Sequence, residues 1–156
     1  MKKILILVVC AVFYGGSISQ AALTPLGGEY PLVGDIAGHQ QNPHVAVGVT
    51  GGFVVWQNAT DNSKGERILV QRLNADFSGV GSPRVVSQNM AGSNEINPRV
   101  SMLPKGGGVV AWEAGPRASK DIYVRFLDAQ GNFMGGAQRA NTHATGIQTD
   151  ADVEIL

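Results

Sequence analysis

The sequence predicts an all-β chain of four-stranded antiparallel units, and three observations predict it. One pattern runs twice: Asn42-Pro43-His44-Val45 returns as Asn97-Pro98-Arg99-Val100 at an offset of 55. Gly52-Phe53-Val54-Val55-Trp56-Gln57 returns as Gly108-Val109-Val110-Ala111-Trp112-Glu113 at 56, and Ile68 to Asn74 returns as Ile122 to Asp128 at 54. Within each unit, short apolar runs alternate with clusters of turn-forming residues. The 21 glycines and a charged fraction of 15% complete the picture, since Gly supplies the positive φ that tight turns need. A solenoid would place one or two strands in each 20 to 30 residues, whereas four hairpin-joined strands in about 55 is the content of one propeller blade. The predicted fold class is therefore a partial β-propeller, with two complete four-stranded blades, one outer strand and one inner strand.

Met1 to Ala21 reads as a secretory signal peptide. Lys2 and Lys3 give the positive start, Ile4 to Phe13 the apolar run, and Ser19-Gln20-Ala21 the small residues that a signal peptidase reads. That run of ten residues is short of the roughly 20 that span a bilayer as a helix. Cys10 lies within it, so the processed chain holds no cysteine, no disulfide and no cysteine-based zinc site.

Residues 22–156 form the incomplete propeller domain. Thr24-Pro25-Leu26-Gly27-Gly28 aligns with Ser78 to Ser82 and with Asn132 to Gly136, which makes Glu29 to Val33 an outer, fourth strand. Blade one takes residues 42–88. Its first strand is His44 to Val49, with valines alternating onto one face, and Thr50-Gly51-Gly52 reverses the chain into Phe53 to Gln57. This second strand is apolar on both sides, the mark of a strand covered above and below. Asn58 to Glu66 is a polar loop, Ile68 to Leu73 the third strand, and Arg84 to Ser87 the fourth. Blade two takes residues 97–142 with the same order: Arg99 to Leu103, Val109 to Glu113, Ile122 to Leu127 and Gln138 to Asn141. Asp150 to Leu156 aligns with Asn97 to Leu103, so residues 150–156 start a third blade, and the chain reads as the N-terminal part of a longer protein.

Charge points to no polyanionic or polycationic partner: 12 Lys+Arg face 12 Asp+Glu, which argues against nucleic acid. Trp56 and Trp112 occupy the same place in the two units, which suits wedging between neighbouring blades better than stacking on a sugar. Glu113 and Asp121 flank one loop, but no spacing sets two carboxylates for the proton transfers of glycoside hydrolysis. His39, His44 and His143 fall at unrelated positions of the pattern, so they do not suggest zinc. Asp128-Ala129-Gln130-Gly131-Asn132 has the oxygen-rich look of a calcium turn, and an Asp-x-x-Gly hairpin explains it more simply. Gly106-Gly107-Gly108 lacks the Lys-Ser/Thr and helix of a phosphate loop, and no Gly-x-Ser-x-Gly element is present. No catalytic residue, metal ligand or cofactor is assigned. The loop residues put forward for binding are Asp61, Arg67, Arg117 and Asp121.

Trp112-Glu113 followed by Asp121-Ile122-Tyr123-Val124-Arg125-Phe126-Leu127-Asp128 resembles a repeat common in large secreted bacterial proteins. That repeat runs from a Val-Val-Trp strand through a polar loop to Asp-Ile-Tyr, a Gln-Arg or similar pair, and an Asp-x-x-Gly turn. Gln71-Arg72-Leu73-Asn74-Ala75-Asp76 and Gly38-His39-Gln40-Gln41-Asn42-Pro43 are similar to the same family, and the likeness covers nearly all of residues 24–156. It departs at Gln57-Asn58-Ala59, where the family carries Asp-x-Arg after the tryptophan. The resemblance implies a β-propeller and an exported, extracellular, cell-surface or periplasmic protein; it implies no catalytic residue.

Together these readings give a non-enzymatic binding or adhesion module with an extracellular ligand, a glycan or a protein, contacted through the loops Asn58 to Glu66 and Ala114 to Lys120. Self-association through open strand edges is expected as well. A propeller hydrolase with its catalytic residues outside this chain and a structural spacer are the alternatives.

Overall fold

A computed structural model describes residues 31–59, 65–87, 94–143 and 145–155. The signal-peptide reading of residues 1–21, the first half of the proposed strand at Glu29 and Tyr30, and Asp61 lie outside them. The described chain is all β, with eight strands in two four-stranded antiparallel sheets. Sheet one runs β1 (His39–Gly48), β2 (Gly51–Ala59), β3 (Glu66–Leu73), β4 (Gly79–Val85) in that order. Sheet two runs β5 (Asn94–Met102), β6 (Gly108–Gly115), β7 (Asp121–Leu127), β8 (Phe133–Arg139). No helix among the described residues is long and apolar enough to cross a membrane.

The two second strands are the centre of the fold. β2 is buried from Gly51 to Asn58 and β6 from Gly108 to Ala114, as their two-sided apolar pattern requires. Pairing of Val54 with Gln71 and of Val55 with Val70 fixes which side chains share a face. On the far face of sheet one, Phe53, Val55, Ile68, Val70 and Val86 pack against Val100, Val110, Trp112, Ala114 and Leu127 of the near face of sheet two. On the other side of sheet one, Val54, Trp56, Leu69 and Leu73 form a second cluster under Leu32, Val33 and Ile36. Both tryptophans are fully buried. Trp112 lies between the sheets, stacked on Tyr123 at 6.1 Å between centroids, whereas Trp56 lies beneath the segment that enters β1.

Four strand boundaries correct the sequence reading. β1 and β5 begin at His39 and Asn94, five residues before the expected His44 and Arg99. The expectation stopped at Asn42-Pro43 and Asn97-Pro98, because proline cannot donate to a ladder. The ladder passes through them as bulges instead, with register shifts at Gln41/His44 and Ile96/Arg99, and Asn42 and Asn97 take left-handed φ values of 48° and 53°. Asparagine accepts that conformation more readily than most residues. β4 and β8 likewise begin at Gly79 and Phe133 rather than at Arg84 and Gln138, since Gly81 and Gly135 are bulge glycines with φ of 69° and 80°, not turn residues. A third-strand side chain fills each bulge: Gln71 Nε2 donates to Val80 O at 2.6 Å, and Arg125 Nε to Gly135 O at 3.0 Å. Residues 31–33 and 150–155 pair in no sheet.

On the third and fourth strands, arginines lock the two sheets together. Arg72 Nε donates to Ala129 O and Arg84 Nη1 to Gly131 O, each at 3.0 Å, while Arg125 Nη1 reaches back to Val86 O at 2.8 Å. Arg84 and Arg125 both lie over the Phe133 ring, 4.2 and 3.8 Å from its centroid, so the ring face offsets part of the repulsion between two cations.

Candidate functional site

The polar side chains with the most organised surroundings gather where β2 and β6 end and the β2–β3 and β6–β7 connections begin. Asn42 Nδ2 donates to Gln57 Oε1 at 3.0 Å, and Asn97 Nδ2 donates to Glu113 Oε1 at 2.9 Å. Gln57 and Glu113 are buried, 4% and 1% exposed, so each oxygen needs a partner, and each finds a second one further along the chain. Gln57 Oε1 accepts from the Asn97 backbone N–H at 3.4 Å, and Glu113 Oε1 accepts from the Asp150 N–H at 3.1 Å. Asp150 shares the left-handed backbone of the two asparagines, with φ 58°. Asn42 Nδ2 also donates to Asn97 Oδ1 at 3.1 Å. The outcome is a row of three Asx side chains held on fixed backbone above two buried acceptors.

A second row lies two residues further along these segments. His44 Nδ1 accepts from the Val100 N–H at 3.3 Å, across the joint between the sheets. This leaves the ring neutral, with its remaining proton on Nε2. Burial, then the neighbouring Arg99 guanidinium, pushes the His44 pKa below the ordinary histidine value, and Asp152 offsets part of the effect. The folded state thus holds fewer protons than the unfolded one between the lowered value and about 6.5. Stability from this contact is fully present above about pH 6.5 and is lost as pH falls through the lowered value. Melting temperatures of the wild type should drop by a few degrees below about pH 6.5, and those of His44→Gln by less; superimposable pH curves would remove His44 from the account.

Of the four residues proposed from sequence, the three that are described have separate surroundings. Asp61 lies outside the described residues. Arg67, on β3, faces the buried Glu95 of β5, with Nη1 3.5 Å from Oε1. Asp121 opens β7, accepting from Asn141 Nδ2 at 2.7 Å with Arg139 Nη1 3.7 Å away. Arg117 is exposed in the turn that Ser119 N–H closes onto Pro116 O, at the same end of sheet two as the Asx row. Glu113 and Asp121 have separate partners, Glu113 facing Lys120 Nζ at 3.9 Å, and form no acid/base couple. The Asp128 carboxylate accepts from Gln130 N–H, Asn132 N–H and Asn132 Nδ2 of its own turn, and the Asn132 side chain is the main cause of its lowered pKa. Among the described residues, no three His, Cys, Asp or Glu side chains converge as a metal site would require.

The Asx row was visible in sequence only as matching Asn-Pro pairs. Its role depends on Gln57 and Glu113, which the strand pattern presents as the ends of apolar runs. Set against known protein families, curated proteins and solved structures, the chain matches none of them.

Proposed function

We propose that the two sheets are blades of a β-propeller, and that the chain is an exported, non-enzymatic binding or adhesion module. Its ligand face is the end that carries Asn42, Asn97, Asp150 and Arg117. The observation behind this reading is the Asx row: the Asn42 and Asn97 amides held by left-handed backbone and buried acceptors, with the Asp150 main-chain N–H bound in the same way, beside an exposed connection. Side chains held in place lose little entropy on binding, which favours recognition. Oriented amides with a guanidinium nearby suit a hydroxyl-rich or peptide ligand, a glycan or a protein, by hydrogen bonding. The export half of the proposal rests on the Lys2-Lys3 start and the apolar run to Phe13.

A glycan and peptide array probed with the purified protein tests the module. Binding to at least one class is expected, with affinity for that ligand falling about tenfold, or roughly 1.4 kcal/mol, in Arg117→Ala while the melting temperature holds, and likewise in Asn42→Ala, which also lowers the melting temperature because it puts alanine at φ 48° and removes a donor to the buried Gln57. Turnover of a polysaccharide, or affinities unmoved by both substitutions, would overturn it.

A further inference from the structure

We infer that Arg72, Arg84 and Arg125 form an anion site at the joint between the sheets, built for a tetrahedral oxyanion of the sulfate or phosphate kind. Arg72 pairs with Phe53 near the start of β2, whereas the Asx row meets Gln57 near its end. The site therefore lies away from the proposed ligand face and stands independently of it.

Strand pairing brings the three guanidiniums to one place. Arg72 follows Val70 by two residues on β3, and Arg84 of β4 pairs with Val70. Val70 belongs to the core shared by the sheets, so both arginines leave the face of sheet one that meets sheet two. Arg125 stands between Tyr123 and Leu127 on β7, which pack into the same core, and so enters the joint from the other side. The β7–β8 turn fixes the first two, since Arg72 Nε donates to Ala129 O and Arg84 Nη1 to Gly131 O. Arg72 also lies against Gly131, where an added Cβ would stand 3.4 Å from its Cδ. Arg84 and Arg125 share the Phe133 ring.

Two guanidiniums on one ring lie within about a Debye length, roughly 8 Å at physiological salt, and repel each other. No acid among the described residues offsets them, for the ion pairs there belong to Arg67, Lys120 and Arg139. The carboxylates of the two adjoining turns are engaged locally: Asp76 accepts from Ser78 N–H and Oγ, and Asp128 from the Gln130 and Asn132 N–H groups. Burial, then the Arg84 guanidinium, pushes the Arg125 pKa below the ordinary arginine value, the direction expected of a cation short of a counter-charge. Donor capacity is left over as well. Carbonyls take up Arg72 Nε, Arg84 Nη1, and Arg125 Nε and Nη1, which leaves Nη2 of each for a further acceptor. A guanidinium stacked on a ring face still presents its in-plane N–H edge. Forks arriving from three strands suit an anion with oxygens on several sides, whereas a planar carboxylate is satisfied by a single fork.

Sulfate compared with chloride at equal ionic strength tests this on the product of the full chain. Sodium sulfate should bind saturably in isothermal titration calorimetry and raise the melting temperature where sodium chloride does not, because an anion held only by the folded chain stabilises it. Arg84→Gln should weaken sulfate binding by about tenfold or more, the loss of charge-assisted hydrogen bonds, and should abolish the thermal gain. Arg72→Gln takes its place if Arg84→Gln fails a circular-dichroism check of folding. Arg139→Gln, whose wild-type guanidinium faces Asp121, should leave both readouts unchanged. Dextran sulfate against neutral dextran separates the sources of the group: binding tighter per sulfate than the inorganic salt assigns the site to a sulfated polymer, and binding no tighter assigns it to the free ion. Equal responses to sulfate and chloride, or a sulfate response that survives both Arg84→Gln and Arg72→Gln, would overturn the inference and leave the arginines as a clasp between the sheets.

Discussion

Trp112→Ala is expected to lower the unfolding free energy by about 3–5 kcal/mol, the range for emptying a fully packed tryptophan site. The indole is 0% exposed, it stacks on Tyr123, and it belongs to the cluster through which both sheets share one core. Truncation removes contacts on two sheets at once, and strands pinned by ladder hydrogen bonds cannot collapse into the space. One term works the other way: the Trp112 indole N–H is buried without an acceptor, so its removal relieves an unsatisfied donor and favours the lower part of the range. Chemical denaturation followed by circular dichroism measures the loss. A change below about 1 kcal/mol, typical of surface positions, would show that the ring does not hold the sheets together.

Gly107→Ala is expected to be as damaging although it adds only a methyl group. Gly107 has φ of 83°, and a Cβ there would lie 2.3 Å from Leu127 O and 3.0 Å from the Asp128 carbonyl carbon. The β5–β6 reversal presses against the end of β7 closely enough that only hydrogen fits. Gly51 repeats the arrangement in sheet one, with φ of 118° and a Cβ position 2.1 Å from Leu73 O. Gly135→Ala is the internal control, because its φ of 80° comes with nothing within 4 Å of the added carbon. The control should cost about 1–2 kcal/mol for left-handed backbone alone. Gly107→Ala should add the displacement of a ladder carbonyl and reach on the order of 3–5 kcal/mol, the territory of severe lesions. Equal losses at the two sites in denaturant titrations would mean that the contact with β7 is unimportant and backbone conformation explains everything.

The centre of the fold was legible because its signal is local. Phe53 to Trp56 and Val109 to Trp112 are apolar on successive residues, and β2 and β6 are buried along their length. Strand starts were less legible, for reasons of backbone chemistry. Proline at 43 and 98 looks like an end and is a bulge, and glycine at 81 and 135 looks like a turn and is also a bulge. The Asx row was hidden for a different reason. Asn42 meets Gln57 through sheet pairing, and Asn97 meets the same Gln57 from the other sheet, so the arrangement exists only after two sheets have stacked. Arg67 reads from sequence as a loop cation free to bind, because Glu95 reaches it only across that joint.

The buried pair at the end of each second strand bears on how such a chain can change over time. In sheet one, Gln57 Nε2 donates to Glu66; in sheet two the polarity is exchanged, and Glu113 faces Lys120. Each sheet keeps its compensating partner within itself. What it shows to the following segment is a single side-chain oxygen, and what it receives is a main-chain N–H, from Asn97 in one case and Asp150 in the other. The contact itself uses no side chain of the following residue, while the left-handed φ there favours Asn or Asp. At this point of the seam a duplicated or moved sheet carries its own compensating charge and needs only a main-chain N–H from the next segment, whereas the Arg67–Glu95 pair across the same joint has to be matched between neighbours.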